Sequence, residues 1–390
     1  MPPEAHGGVL VLDGYWNKAV AAVRSLGRGG LRVGAGECTR FAPALFSRHC
    51  VRRFVHPPPA DSPEDFLEAL ERELSDGRYD VLMPMEFSTQ RLVTARRGRL
   101  ERLVRIPFSD PPVADRLDDK GAVAAEAGRL GIPVPATFFP GGPEGAAALA
   151  GRLPYPVLVK PRRSSGGRGI REARDPESFL AAHAAVHARF PDPIVQERLP
   201  PGGAALGVGV LMNRASQPRA TLVYRRLREY PPGGGPGTLR ESVDDARVLG
   251  SACRLLAAAG WSGPAMVEFK VDPRDGEAKL LEVNPRFWGS LHHGTVCGVD
   301  FPMLLYRMAM EGDIPEAPPA RPGILSRSLL HGDLMHFVAS PSRFRMEPGL
   351  LDFTVPDDLL SREDPLPVLG RLLSLAAAAG NRTFREALSG

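Results

Sequence analysis

The sequence predicts an α/β fold with a parallel sheet at its amino-terminal end, followed by a β-rich α+β region. Two patterns carry this prediction: short apolar strands alternate with helices over the first 86 residues, and strands dominate from about residue 205. The chain has 390 residues, enough for two or three domains, and its hydrophobic share of 43% is ordinary for a globular protein with a sizeable core.

Strands and helices alternate over the amino-terminal part of the chain. The predicted elements are a strand at 9–13, a helix from about 17 to 26, a strand at 31–37, a helix that begins after Ser62 and a strand at 79–86. We expect residues 1–115 to form a parallel α/β layer. Ligands bind such a layer at the carboxyl ends of its strands, which are the loops 13–17 and 85–88 here.

The rest of the chain mixes helices and strands before it becomes β-rich. A helix capped by Asp118 or Asp119 is predicted to run to about residue 130. The further predicted elements are strands at 155–161 and 193–199 around a helix at 177–189, strands at 205–214 and 220–230, a helix at 243–260, a hairpin at 265–287, and helices at 301–311 and 369–380.

Composition and charge exclude several classes of protein. The net charge is +4 and no basic cluster is interleaved with aromatic residues, so a nucleic-acid partner is not expected. No apolar run approaches the ~20 residues of a membrane helix, and the first residues lack the basic segment of a signal peptide. The expected compartment is therefore the cytoplasm. The four cysteines lie far apart and indicate neither a disulfide framework nor a metal site.

Lysine is rare in this chain, which has five lysines and 44 arginines. Because the composition favours arginine as the generic positive charge, each lysine that is kept suggests a need for a compact, flexible ammonium group. The five are Lys18, Lys120, Lys160, Lys270 and Lys279.

The predicted hairpin has two alternating apolar strands that flank an Asp-Gly turn at 275–276. A turn centred there pairs Glu268 with Glu282, and Asp272 with Ala278. Two carboxylates directly opposite each other destabilise a sheet, so the first of these pairs needs a compensating cation.

One face of this hairpin gathers polar groups. The strand period of two places Glu282, Asn284 and Arg286 on the same side, next to Glu268. Two glutamates and an amide oxygen suit Mg²⁺, with phosphate oxygens and waters completing its coordination. A solvated polar face with loose charge pairs is the alternative, and spacing alone does not decide between the two.

A glycine-rich loop at 164–169 follows the strand that Lys160 ends. Its backbone amides can approach phosphates, to which the lysine adds a point charge. This is not a Walker loop, because the lysine precedes the glycines, and a flexible hairpin is the alternative. Lys120, predicted on a helix, and Gln196-Glu197, at a strand end, are each uninformative alone.

Taken together and in order, these pieces resemble the ATP-grasp superfamily. They are Asp119-Lys120, Lys160 with the loop 164–169, Gln196-Glu197, Glu268, and the alternation Glu282-x-Asn284-x-Arg286. The resemblance covers about 115–320, and through "YRRLREYPPGGGPGT" and "NPRFWGS" it is most similar to the carbamoyl-phosphate-synthase-like carboxylate–amine ligases.

The resemblance implies an ATP-grasp fold, in which two α+β lobes sandwich ATP, preceded by a Rossmann-like parallel-sheet domain. The implied units are a pre-ATP-grasp domain at 1–115, a small lobe or lid at 116–200, a large lobe with the metal site at 201–320 and a carboxyl-terminal extension at 321–390.

Residue roles also follow from the resemblance. ATP would contact Lys120, Lys160, Ser165, Gly166, Gly167, Gly169, Gln196 and Glu197. Mg²⁺, with Mn²⁺ as the alternative ion, would be held by Glu268, Glu282 and Asn284, and the catalytic residues would be Arg286, Lys160 and Arg240. Many members carry an acidic residue soon after the hinge glycine, and "PPGGAALGVG" has none, which leaves the adenosine contacts less defined.

The implied reaction joins a carboxylate to an amine through an acyl phosphate, with release of ADP and phosphate. Arg240 and Arg226 are the first candidates to pair with the substrate carboxylate, solvated surface arginines being the alternative. No protein nucleophile is predicted, because His292 and His293 lack a recognisable partner in the sequence. A kinase, a carboxylase-like enzyme and a non-catalytic ATP-binding module stay open as alternatives. A homodimer is suggested by the resemblance alone, and neither the acid nor the amine is identified.

Overall fold

Three β-sheets form the framework of the chain in the computed structural model, which describes residues 7–164 and 166–380. The first sheet and its helices comprise β1 (Gly8–Val11), α1 (Asn17–Arg28), β2 (Arg32–Glu37), β3 (Cys50–Val55), α2 (Pro63–Leu74), β4 (Val81–Met83), α3 (Phe87–Ala95) and α4 (Arg97–Leu100). All four strands are parallel, in the order β3-β2-β1-β4, which confirms the predicted α/β layer.

The sequence of this layer explains its bounds. β1 and β4 are completely buried, as apolar strands inside a parallel sheet must be. β4 ends at Met83, earlier than predicted, because Pro84 has no N–H to continue the ladder. The Asp13 carboxylate accepts backbone N–H groups of residues 85–86 at 2.8 and 2.7 Å, and the Thr89 hydroxyl at 2.6 Å. Asp13 therefore ties the carboxyl end of β1 to the start of α3.

A smaller antiparallel sheet follows. Its region comprises α5 (Pro111–Asp118), α6 (Lys120–Arg129), β5 (Thr137–Phe138), α7 (Pro143–Ala150), β6 (Val157–Lys160), β7 (Arg171–Ala173), α8 (Pro176–His187) and β8 (Ile194–Glu197). The predicted cap of α6 is confirmed, since Asp119 accepts the backbone N–H groups of Gly121 and Ala122 at 2.9 and 3.1 Å. The strand order is β5-β8-β6-β7, and the apolar residues of this sheet form a separate core.

The largest sheet is antiparallel and carries the predicted hairpin. Its region comprises β9 (Ala205–Met212), β10 (Pro218–Glu229), β11 (Gly237–Ser242), α9 (Ala246–Ala258), β12 (Gly263–Val271), β13 (Ala278–Asn284), α10 (Leu291–Cys297), α11 (Phe301–Glu311) and β14 (Leu325–Arg327). The strand order is β13-β12-β9-β10-β11-β14. The sequence did not predict β11 and β14. α9 begins later than predicted, because Asp245 caps it by accepting the N–H of Arg247 at 3.0 Å.

The register of the hairpin confirms one predicted pair and corrects the other. Glu268 lies opposite Glu282, as predicted. Ala278 lies opposite Val271 instead of Asp272, because a β-bulge after the glutamate pair shifts the ladder by one residue. The bulge therefore lets the Asp-Gly turn and the paired glutamates coexist in one hairpin.

The carboxyl-terminal part packs back onto the amino-terminal layer. It comprises a π-helical turn (Leu329–Asp333), α12 (Leu334–Ala339), a 3₁₀ turn (Arg343–Arg345) and α13 (Leu366–Gly380). The Ser374 hydroxyl on α13 donates to the Phe41 carbonyl at 2.8 Å, and Arg24 on α1 donates to Asp364 at 2.9 Å. Within the described ranges, no helix is long and apolar enough to cross a membrane.

The elements of the molecule do not all share one hydrophobic core. The amino-terminal layer shares one core with residues of the large sheet region, among them Leu211, Phe287 and Trp288. The small sheet keeps its own core, built from residues such as Val157, Phe179 and Val195. The small sheet is therefore the part of the site that is least tied to the rest by apolar packing.

Candidate active site

Two glutamates face each other on the hairpin of the large sheet. Glu268 on β12 and Glu282 on β13 are direct register partners, and their side chains are only 15% and 22% exposed. The Asn284 amide lies between them, 3.4 Å from Glu268 Oε1 and 3.5 Å from Glu282 Oε1. Burial raises the pKa of Glu268 above its usual range. The structure thus brings the three predicted metal ligands together.

Each of these glutamates is paired with a cation of the chain itself. The Arg226 guanidinium on β10 donates to Glu268 Oε2. Lys120, the first residue of α6, places its Nζ 3.1 Å from Glu282 Oε2 and also donates to the Ser164 carbonyl. Burial opposes ionisation of Glu282, but the charge and hydrogen bond of Lys120, together with the charges of Lys160 and Arg226, outweigh burial and lower the pKa of this carboxyl. The paired carboxylates are therefore neutralised by side chains from distant parts of the sequence.

Lys160 ends β6 and points toward the same carboxylates. Its Nζ donates to Gln196 Oε1 at 2.6 Å, and the whole side chain is buried. Burial lowers the pKa of this lysine to about 8, although the Glu282 charge acts in the opposite direction. Gln196 in turn donates from Nε2 to the Thr137 hydroxyl at 3.0 Å, so its side chain orients the lysine.

The glycine-rich loop follows directly after β6. Gly166, Gly167 and Gly169 have φ angles of 64°, 76° and 75°, in the left-handed region that other residues rarely adopt. A Cβ on Gly169 would also lie 2.7 Å from the Phe190 ring. Ser165, the fourth predicted loop contact, lies outside the described residues.

Glu197 connects the small sheet to the large one. Its Oε1 accepts from Arg274 in the hairpin turn, and its Oε2 accepts the backbone N–H of Ala136 at 3.3 Å. The side chain is 14% exposed. Glu197 thus sits at the junction of the two lobes, and the predicted adenosine contact at this position stays a prediction.

Arg286 lies just beyond β13, where the amino-terminal layer meets the hairpin. Its Nη2 donates to Asn284 Oδ1 at 3.0 Å, and its Nε is 3.9 Å from Glu86 Oε2. Lys18 forms a closer pair with Glu86 at 2.6 Å and donates to the Phe287 carbonyl at 3.2 Å. Burial lowers the pKa of Lys18 to about 8.

This junction involves residues to which the sequence assigned no role. Lys18 was singled out only for its rarity, and Glu86 only as part of the loop 85–88. Gln90 on α3 adds a third contact, because its Nε2 donates to the Pro285 carbonyl at 2.9 Å. The carboxyl edge of the parallel sheet was the signal that pointed to this region.

Arg240 takes a different position from the other predicted catalytic residues. It lies opposite Arg226 in the β10–β11 ladder, is 2% exposed, and pairs with Asp358 of the carboxyl-terminal part at 2.5 Å. The structure places Arg226, and not Arg240, against Glu268 of the opposed glutamate pair. Whether either arginine binds a substrate carboxylate stays a prediction.

His293 has partners that the sequence did not reveal. The ring accepts from or donates to the Ser326 hydroxyl at 2.9 Å and lies 3.7 Å from the Cys297 sulfur. All three side chains are completely buried, and burial lowers the pKa of His293 to about 3. A neutral imidazole closed off from solvent cannot activate a nucleophile for an external substrate.

The donor set fits a hard divalent cation. Among the described residues no three His, Cys, Asp or Glu side chains cluster closely enough to hold a metal by themselves. Two opposed glutamates supply a partial shell of carboxylate oxygens, as expected where phosphate oxygens and waters complete the coordination of Mg²⁺. The Asn284 amide turns its nitrogen toward these glutamates and its oxygen toward Arg286, so the amide would have to rotate to add its oxygen as a third ligand. Arg226 and Lys120 form ion pairs with these carboxylates, which shows that the site attracts positive charge.

A family model and curated relatives match parts of this chain. The family model described as "ATP-grasp in the biosynthetic pathway with Ter operon" matches residues 189–330. The carboxyl-terminal section of the carbamoyl phosphate synthase large chain from Methanopyrus kandleri is 29% identical over 233 residues. That match covers 57% of this chain and 42% of the relative, so the chain spans less than half of it.

Solved structures share the fold at low sequence identity. Biotin carboxylase from Campylobacter jejuni, in complex with an ATP analogue, has a TM-score of 0.66 at 17% identity, covering 82% of this chain and 74% of that one. An L-amino acid ligase from Bacillus licheniformis has a TM-score of 0.60 at 15% identity, covering 79% of this chain and 75% of that one. These structures agree with the observed parallel layer and the two antiparallel sheets.

Proposed function

We propose that this chain, which belongs to the ATP-grasp superfamily of ATP-dependent enzymes, is a ligase that joins a carboxylate to an amine. One observation carries the proposal: the opposed Glu268 and Glu282 lie beside Asn284, with cations from three separate parts of the chain converging on them. A binding module has no need for such a set, whereas transfer of a phosphoryl group requires it.

The chain's own residues would position ATP. Lys120 and Lys160 would contact its phosphates, and the backbone amides of the loop 164–169 would cover them. Entry of the phosphates offsets the burial that now disfavours the charged form of Lys160. Glu197 and Gln196, at the junction of the lobes, would border the adenosine.

Glu268, Glu282 and Asn284 would hold Mg²⁺, which supplies charge stabilisation to the transferring phosphoryl group when it is bound. Arg286 lies next to Asn284, so its guanidinium would contact the same phosphoryl group. Lys18 and Glu86 would hold the backbone and side chain of this arginine in place.

The reaction balances without a protein nucleophile. A carboxylate oxygen of the acid attacks the γ-phosphorus, the bond to the β-γ bridging oxygen breaks, and ADP leaves. The amine nitrogen then attacks the carbonyl carbon of the acyl phosphate, loses a proton, and displaces inorganic phosphate. Positioning and preorganised positive charge supply the rate acceleration.

The test measures ADP and free phosphate released from Mg-ATP over a panel of carboxylates, with and without amines. ADP and phosphate released together, only when acid and amine are both present, would support the ligase. ADP without free phosphate would indicate a kinase instead, and turnover with bicarbonate and no other acid would indicate carboxylase-like chemistry.

Two variants control this experiment. Glu282→Gln removes a metal-binding carboxylate and should abolish metal-dependent turnover. Glu241→Gln, on β11 of the same sheet, removes a carboxylate that pairs with Arg225 and should leave turnover unchanged. Tight ATP binding without any turnover, unaffected by Glu282→Gln, would contradict the catalytic proposal and indicate a nucleotide-binding module.

A further inference from the structure

Arg226 reaches its partner across a whole strand. It lies on β10 and Glu268 lies on β12, with β9 between them. Neighbouring strands are about 4.8 Å apart, so the two side chains together bridge roughly 10 Å between their backbones. Both side chains are 15% exposed. The contact therefore lies inside the site and is not one of the exposed surface ion pairs.

Glu268 cannot hold this guanidinium and a divalent ion in the same way. Its Oε2 accepts from Arg226 and its Oε1 faces the Asn284 amide, so both oxygens are engaged. A divalent ion bound to Glu268 and Glu282 would meet the Arg226 charge at close range. Two cations at such a distance in a buried site repel strongly, so one of them must leave.

We propose that Arg226 is a displaceable counterion of the metal site. Its guanidinium occupies Glu268 until the divalent ion arrives with the nucleotide, and it is then released to bind the carboxylate of the acid substrate. This inference rests on the proposed ligase function and adds an order to it, with metal–nucleotide first and acid second. Arg240, the ladder partner of Arg226, is already paired with Asp358, so the released Arg226 would be the group that meets the acid.

The alternative is a permanent structural pair between Arg226 and Glu268. The two differ in what they predict for metal binding in the absence of any substrate. A displaceable counterion competes with the metal, so removing it should strengthen metal binding. A permanent structural pair organises the carboxylate, so removing it should weaken metal binding or leave it unchanged.

The experiment measures the binding of Mn²⁺ alone to the full chain by electron paramagnetic resonance. For Arg226→Met we expect the dissociation constant to fall on the order of tenfold relative to the wild type, since a competing charge has been removed. Arg225→Met is the matched control, because the neighbouring Arg225 pairs with Glu241 and should not affect Mn²⁺ binding. Glu282→Gln should abolish binding in both backgrounds, which locates the measured ion at the paired glutamates.

A second measurement uses the wild-type protein and needs no variant. Phenylglyoxal modifies accessible arginines, and peptide mass spectrometry reports the labelling of each one. We expect Mn²⁺ to increase the labelling of Arg226 severalfold while Arg225 stays constant. Unchanged labelling at saturating Mn²⁺ would overturn the displacement.

Equal Mn²⁺ affinity of the wild type and Arg226→Met, or no bound ion in either protein, would also overturn it. The ligase proposal would then still stand or fall on the turnover experiment with carboxylates and amines.

Discussion

Two side chains of the amino-terminal layer hold the backbone on either side of Arg286. Gln90 Nε2 donates to the Pro285 carbonyl at 2.9 Å, and Lys18 Nζ donates to the Phe287 carbonyl at 3.2 Å. These two hydrogen bonds together form a clamp on the loop 285–287. We expect Gln90→Leu to remove the first of them. The substitution should lower both the stability of the chain and its Mg-ATP-dependent turnover, but to very different extents.

The expected magnitudes follow from the contacts of Gln90. It is 1% exposed, so losing its donor leaves the Pro285 carbonyl unpaired, which costs about 1–3 kcal/mol. Gln90 Oε1 itself has no hydrogen-bond partner within the described residues, and its removal offsets part of this cost. The net loss in unfolding free energy should therefore be about 1 kcal/mol. A displacement of Arg286 on the order of 1 Å should lower turnover about 100-fold.

Urea unfolding measures the first effect and ADP release measures the second. Thr94→Val is the matched control, because the Thr94 hydroxyl lies one turn along α3 and donates to the Gln90 carbonyl at 2.9 Å without touching the loop 285–287. It should cost a similar free energy of unfolding and leave turnover nearly unchanged. If both variants lowered turnover equally, the clamp would have no role in positioning Arg286.

Three further outcomes are expected. Burial and the Glu86 charge raise the pKa of Asp13 from 3.8 to about 7, so the folded state retains a proton that the unfolded chain releases. Unfolding free energy should thus fall as pH rises between those values, and Asp13→Asn should flatten this slope. Gly167 has a φ of 76°, so Gly167→Ala should strain the loop by about 1–2 kcal/mol and slow ATP turnover. Gly151→Ala is the control, because the φ of Gly151 is −80° and an alanine there should cause neither effect. The pKa of Lys160 is lowered to about 8, so nucleotide binding near pH 9 should be accompanied by the uptake of about one proton. Calorimetric titrations in two buffers that differ in ionisation enthalpy should detect this proton uptake in the wild type and not in Lys160→Met.

Local sequence signals predicted much of the fold. The Asp119 cap and the Asp-Gly turn of the hairpin act within a few residues, and both were placed correctly. β11 was missed because its sequence, Gly237–Ser242, has neither a clear alternation nor an apolar run. It is a strand because β10 and β14 pair with it on both sides, and such pairing is a property of the whole sheet.

The candidate site likewise combines contacts that the local sequence predicts with contacts that it does not predict. The opposition of Glu268 and Glu282 could be derived from a turn centred near Asp275, even though a bulge shifts the register between this pair and the turn. The contact of Arg226 with Glu268 joins residues 42 apart, and that of Lys18 with the Phe287 carbonyl joins residues 269 apart. Neither contact follows from spacing, because each depends on the order of strands in a sheet or on the packing of two layers.

The separate hydrophobic cores indicate which parts of the site would move together. Arg286 adjoins Phe287, which belongs to the core that the amino-terminal layer shares with the large sheet. The strand β13, which carries Glu282, contributes Leu280 and Val283 to a second core that also contains Val123 of α6, the helix of Lys120. Lys160 and the glycine-rich loop belong to the small sheet, which has its own core. The Glu197–Arg274 pair links the two parts, but Arg274 is 51% exposed, and exposed pairs contribute at most about 1 kcal/mol.

Arg162, which follows β6, also donates to Asp119 at the start of α6 at 2.9 Å. Motion of the small sheet relative to the other elements of the site would therefore break polar contacts such as these, but it would not open a shared hydrophobic core. ATP phosphates that enter beneath the loop would attract Lys120 and Lys160, as the Glu282 carboxylate does in the structure. The carboxylates, Arg286 and Lys120 would stay fixed while Lys160 and the loop close over the substrate. A site divided in this way would keep the proposed metal ligands preorganised and leave the motion to the part that carries Lys160 and the glycine-rich loop.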